Sequence, residues 1–199
     1  MAKAQSIAGL DAGRPILENA CLIIKTRLGE MLDYEPHLER VEHVYELHQM
    51  RIAAKRLRYS MEIFQPLYSD YTALGKEFEV ARNEIKALQE HLGEIHDADV
   101  LVPTLQEHLA RLLKKGHGLD RRGDLRTGVD LVDLDACQGL LTLCYQARDE
   151  RAARYSRLLE DWRRLRAKNY FEKLELLLNT AAVSITVTPE TQLPTEASA

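Results

Sequence analysis

An excess of positive charge is the first thing this chain lacks. Its 199 residues carry 27 Lys and Arg against 31 Asp and Glu, a formal net charge of -4. That balance argues against general adhesion to nucleic acid or to a membrane surface, so any site for a polyanion must be local, made by sorting charge onto one face. Cysteine is scarce as well. Cys21, Cys137 and Cys144 are too few and too scattered for a disulfide framework, and their apolar helical surroundings predict reduced core thiols. No apolar run approaches the ~18 residues of a membrane span, and the opening MAKAQSIAGLDAGRPIL has no signal-peptide core. A soluble cytoplasmic protein with no membrane partner is expected. Strand signals are missing: VSITV at 183–187 is β-branched but stands alone. No Ser/His/Asp grouping, P-loop or G-x-G-x-x-G occurs, so no enzymatic activity, catalytic residue, cofactor or metal is expected.

What remains is helical pattern. A stripe of Ile16, Ala20, Ile23, Ile24, Arg27 and Leu28 predicts a helix over 14–31, with Pro15 in its first turn. Pro36 marks a boundary, and a second helix is predicted over 38–64, ending in a break at Pro66 with Ser69 or Asp70 as N-cap. A long third pattern runs over 71–115, where Gly93 and Pro103 mark candidate kinks. KKGHGLDRRGDLRTG at 114–128 is a loop, with four glycines and no apolar period. Helix resumes near 133 and continues into the 170s, with a candidate break at 148–151. The fold class predicted is all-α, a bundle of about five helices, over a domain at 14–178 with a flexible C-terminal tail at 179–199.

The charge that the whole chain lacks is concentrated in YELHQMRIAAKRLRYSMEIF, residues 45–64. At ~100° per residue, Arg51, Lys55, Arg58 and Glu62 cluster within ~80° of His48, with Tyr59 just on its other side. Met50, Ala53, Ala54, Leu57, Met61 and Phe64 form a separate apolar stripe. Arg56 projects in a third direction. From His48 to Arg58 the line spans ~15 Å of helix, long for one small anion and suited to successive phosphates. Arg supplies a planar fork, Lys a compact charge, and His two donors once protonated, a form that an adjacent polyanion favours. Only Glu46 and Glu62 flank the cluster, and no acid is expected at an i,i+4 pairing position inside it. The plain alternative is a solvated helix face.

A second motif follows at LQEHLGEIHDADVL, residues 88–101. Together the two segments resemble the CHAD domains, a family of histidine-bearing α-helical domains. His48, Arg51, Ile52, Lys55, Arg56, Leu57 and Arg58 fill the signature H-x-x-R-h-x-x-[KR]-R-L-R, and the second segment matches L-Q-x-x-L-G-x-x-[HR]-D, with Leu92, Gly93, His96 and Asp97 in place. The resemblance covers about 14–112, and more loosely the helices to about 178. It implies an all-helical fold that binds inorganic polyphosphate through basic side chains in a central groove, without catalysis. It also implies association with polyphosphate granules, or fusion to a triphosphate tunnel domain, for which these 199 residues leave no room. The polyphosphate-binding residues it marks are His48, Arg51, Lys55, Arg56, Arg58 and His96. The usual family domain holds two copies of a helical unit, each with a basic helix, whereas this chain shows one such helix. Either the second unit is degenerate or a homodimer rebuilds the two-fold, and the homodimer is the expectation.

Residues 148–173 hold nine Lys and Arg against five Asp and Glu. Arg154, Arg157, Arg164 and Lys168 share about one quadrant and are weaker binding candidates, for a second wall of the groove; a salt-bridged solvent face fits them equally. Lys114, Lys115, Arg121, Arg122 and Arg126 could close the 114–128 loop over an anion. The alternative function is generic polyanion or nucleic-acid binding, with nucleic acid disfavoured because no aromatic platform interleaves with the basic stripe. A metal-dependent phosphohydrolase built on His96 and Asp97 is the third option; it needs further ligands, such as His91 or Asp130, at a spacing that matches no known pattern. Asp97 could instead pair with a cation of the basic helix, and His96 could extend the basic surface or cap a helix end.

Overall fold

The computed structural model describes residues 4–71, 74–115 and 134–186. Five α-helices follow one another: α1 (Ile16–Leu32), α2 (Val44–Tyr71), α3 (Gly75–Lys115), α4 (Leu134–Ala167) and α5 (Tyr170–Thr186), with a single 3-10 turn at Glu35–His37 between α1 and α2. No strand occurs among the described residues. The all-α bundle is therefore as the apolar periods predict. In α1, Leu17, Ile24, Leu28 and Met31 recur at helical spacing and are fully buried. They meet Met50, Leu57 and Met61 of α2, Phe78, Ile85, Leu88 and Leu92 of α3, Leu158 and Leu165 of α4, and Phe171 and Leu178 of α5 in one continuous core.

Several boundaries differ from the sequence expectation. Pro66 does not end α2, which runs on to Tyr71. Proline removes the bond to the carbonyl four residues back, but Pro66 is exposed and lies near the helix end, where little ladder remains to lose. Tyr68, just beyond it, stacks on Phe78 with ring centres 3.9 Å apart and holds the last turn in the core. Gly75 opens α3 so close to α2 that a Cβ there would fall 2.9 Å from Ser69 Cα, a spacing only glycine permits. Neither Gly93 nor Pro103 breaks α3, and no break occurs at 148–151 in α4. The α4–α5 turn comes at Asn169, whose φ of 50° lies in the left-handed region that Asn tolerates best after Gly. α5 continues eight residues beyond the expected domain boundary at 178. Of the basic loop expected over 114–128, everything from residue 116 lies outside the described residues, as does the tail from 187.

α3 is the axis of the arrangement. One of its sides packs against α2 and another against α4, while α1 lies between α2 and α5. Polar clamps fix the remaining joints. Tyr155 Oη donates to the Leu38 carbonyl at 2.5 Å, Trp162 Nε1 to Glu35 at 2.9 Å, and Tyr170 Oη to the Ala81 carbonyl at 2.6 Å.

Candidate polyanion site

α2 is two-faced, as its sequence demands. Met50, Ala53, Ala54, Leu57 and Met61 are buried, while His48, Arg51 and Arg58 lie half-buried along the edge towards α3 and Lys55 is exposed. The guanidinium of Arg58 sits 4.8 Å from the ring centre of Tyr59 and Lys55 Nζ 5.6 Å from it. An aromatic ring thus does stand among these cations, 43% exposed, and amends the expectation that none interleaves with them. The ring quadrupole attracts both charges and restrains Arg58.

The other side of this edge belongs to α3. His48 Nδ1 meets His96 Nδ1 at 3.1 Å with ring centres 4.2 Å apart, so one nitrogen donates and the other accepts. His96 lies within α3, at no helix end. Arg51 Nε lies 3.8 Å from where a Cβ on Gly93 would be. These two contacts fix an antiparallel register that carries the α2 line past residues 89 and 82 of α3. Burial, then the positive charge of His96 and Arg51, pushes the His48 imidazole below its ordinary pKa. Arg51 Nε and Arg58 Nε are buried with no hydrogen-bond partner. Arg51 carries no ion pair among the described residues; Arg58 pairs loosely with Glu62 at 3.7 Å, four residues on, which corrects the expectation that no acid takes such a position. Buried donors of this kind are normally satisfied, and here two sit about two turns apart on one helix edge.

Arg56 is not on this edge. It lies ~160° round α2 from Arg58 in projection and bonds Glu30 of α1 at 3.1 Å. The Glu30 side chain is 3% exposed and also takes Arg27 at 2.5 Å. Arg56 therefore compensates a buried carboxylate and is turned away from the basic line. The α4 cations form no second wall with α2. Arg154 pairs with Glu94 at 2.8 Å. Arg164 grips Glu84 with two bonds of 3.0 and 2.8 Å and also contacts Asp161, which drive its pKa further up. Arg157 is exposed on α4, and Lys168 is exposed in the turn that follows it. Asp97 is exposed and lines a shallow cavity of ≈ 290 Å³ with Ala147, Glu150 and Arg151, so it holds no cation of the basic helix. His96 and Asp97 point to opposite partners, α2 and α4, and His91 is bonded to Asp161 at 3.2 Å. No three His, Cys, Asp or Glu side chains converge on a metal position among the described residues.

Two further α3 side chains share the α2-facing edge: Gln89, which stands at the Gln of the second motif, and Arg82, which no motif marks. With Gly93 and His96 they fall within ~60° on the wheel. For Arg82 the only sequence signal was that spacing, which becomes informative once the edge facing α2 is known.

A family model described as the CHAD domain matches residues 2–106, over half of the chain. The match takes in α1, α2 and most of α3, including both walls of this edge. No curated protein and no solved structure matches. No helix among the described residues is long and apolar enough to cross a membrane.

Proposed function

The chain belongs to the CHAD domain family, and from that premise we propose that it binds inorganic polyphosphate, without hydrolysing it, along the edge formed by His48, Arg51, Lys55, Arg58 and His96. The family is linked to polyphosphate in general; the particular residues and the absence of catalysis are the proposal. One observation carries it. Arg51 Nε and Arg58 Nε are buried, cationic and without a hydrogen-bond partner, which leaves directed donors waiting for an acceptor. A line ~15 Å long offers these donors to several phosphates in succession. Binding by charge predicts affinity that falls steeply with salt as counterions are released.

The test is the triple variant Arg51→Ala, Lys55→Ala, Arg58→Ala. Loss of three charge-assisted contacts is expected to weaken binding of long-chain polyphosphate by more than about a hundredfold, with little change in thermal stability because that edge is not the core. Unchanged affinity would remove the site assignment. Phosphate release from polyphosphate with Mn²⁺ or Mg²⁺ would overturn the non-catalytic part. Displacement of polyphosphate by RNA at equal phosphate concentration would make the site a generic polyanion one. The proposal extends to localisation on polyphosphate granules and to a homodimer. The family pattern sets two basic helices around one groove, this chain supplies one, and a two-fold axis supplies the other. Sedimentation of a monomer alone, with and without polyphosphate, would overturn the dimer.

A further inference from the structure

We propose that Arg82 and Gln89 of α3 form the second wall of the anion site, so that the polyanion lies in the groove between α2 and α3 rather than along α2 alone. The inference rests on the polyphosphate reading and adds the residues that bound the chain on its other side. Arg82 Nε is buried without a hydrogen-bond partner, as are Arg51 Nε and Arg58 Nε across the groove; Gln89 can serve an anion through its amide Nε2 alone, because its Oε1 only accepts. Among the described residues the one bond Arg82 makes is to its neighbour Asn83, at 3.1 Å, and it carries no ion pair there. Arginines on two facing helices that leave buried nitrogens unmet repel one another unless an anion lies between them. The register set by His48–His96 and Arg51–Gly93 places Gln89 opposite Lys55, where its amide Nε2 is a neutral donor between two cations. It places Arg82 opposite Glu62, beyond Arg58. From Arg82 to His96 the groove measures ~21 Å along α3, longer than the α2 line alone. The α4 side of the same helix is closed to this role, because Arg154 and Arg164 already hold Glu94 and Glu84.

The test is calorimetric titration of long-chain sodium polyphosphate into the full chain at several salt concentrations. Arg82→Ala is expected to bind roughly tenfold more weakly, with a log affinity–log salt slope shallower by about 0.7. Gln89→Lys should bind several-fold more tightly with a steeper slope. Arg157→Ala removes the same charge from exposed α4 and should stay within about twofold of wild type, because exposed charges are screened. The wall is overturned if Arg82→Ala and Gln89→Lys both stay within twofold, or if Arg157→Ala loses as much as Arg82→Ala, which would show that only net charge matters. Should Arg82→Ala fail to fold by circular dichroism, Gln89→Lys decides alone. A wild type that binds RNA but no polyphosphate, with the same variant pattern, would overturn the polyphosphate reading and keep the wall; a wild type that binds neither would overturn both.

Discussion

α3 presents two edges, and they treat arginine in opposite ways. Towards α4, each facing arginine meets an acid: Arg154 meets Glu94, Arg164 meets Glu84 and Asp161, and Arg151 meets Asp99 at 2.5 Å. Towards α2, Arg51 and Arg82 carry no ion pair among the described residues and leave buried nitrogens unmet. The α4 stretch is the richer in cations, yet its cations facing α3 are already matched to acids. A count of Lys and Arg therefore does not locate an anion site; unmatched donors do, because a matched pair must be broken before either partner can serve a ligand.

The largest expected effect separates two arginines of one motif. Arg56→Met should lower stability by about 2 kcal/mol, because it removes one of the cations that compensate the nearly buried Glu30; Arg27 still holds that carboxylate, which limits the loss. Its salt slope for polyphosphate should match wild type. Denaturant melts and titrations on the same preparation check both halves. A shallower slope with unchanged stability would return Arg56 to the binding line.

Next comes a direct exchange between the two edges. Arg51→Ala should weaken polyphosphate binding roughly tenfold at almost no cost in stability, since its charge has no ion-pair partner among the described residues to lose. Arg164→Ala should do the reverse: affinity within about twofold, and stability down by about 1 kcal/mol once solvent screening of this partly exposed pair is allowed for. If the two variants behaved alike, the contrast between the edges would have no energetic content.

The bundle was legible in the sequence because apolar spacing encodes burial: Ala20, Ile24 and Leu28 of the stripe read for α1 are buried, although its Ile16 is exposed and Leu17 and Met31, which the stripe left out, are buried as well. The basic line was legible too, since one helix holds it at a fixed ~100° per residue. Pairing between helices was not. Whether Arg154 or Arg164 is matched depends on Glu94 and Glu84, 60 and 80 positions away, and on which edge of α3 turns to α4. For Arg56 the wheel already showed a third direction, but not what it meets there, because its partner Glu30 lies on another helix. Pro66 misled because a proline late in a helix removes little, and no local rule counts the core contacts of Tyr68 beyond it.

A smaller effect should appear in the pH dependence at the His48–His96 contact. The folded pKa of His48 is lowered, so its contribution to stability is present above its ordinary value of ~6.5 and is lost as pH falls through the lowered one. A polyanion works the other way, by favouring the imidazolium. Affinity should therefore rise as pH falls below about 7, by less than tenfold per unit, the limit for one linked proton. His48→Asn should flatten both profiles while keeping most of the salt dependence that the arginines and Lys55 supply. A pH dependence retained in that variant would assign the proton elsewhere.

The smallest expected effect concerns Gly93, the motif glycine on the α2-facing edge. A glycine inside a 41-residue helix costs up to about 1 kcal/mol relative to alanine, and nothing in the packing requires it, since a Cβ there would make only ordinary contacts of 3.8 Å with Arg51 and Gln89. Gly93→Ala should thus raise stability by about 0.5–1 kcal/mol. The added methyl stands beside Arg51 Nε without displacing it, so polyphosphate affinity should fall by no more than about threefold if the anion is held by side chains alone. A much larger loss in this stabilised variant would mean that phosphate comes down onto the α3 backbone at Gly93, placing the anion deeper between the two walls than the side-chain donors alone require.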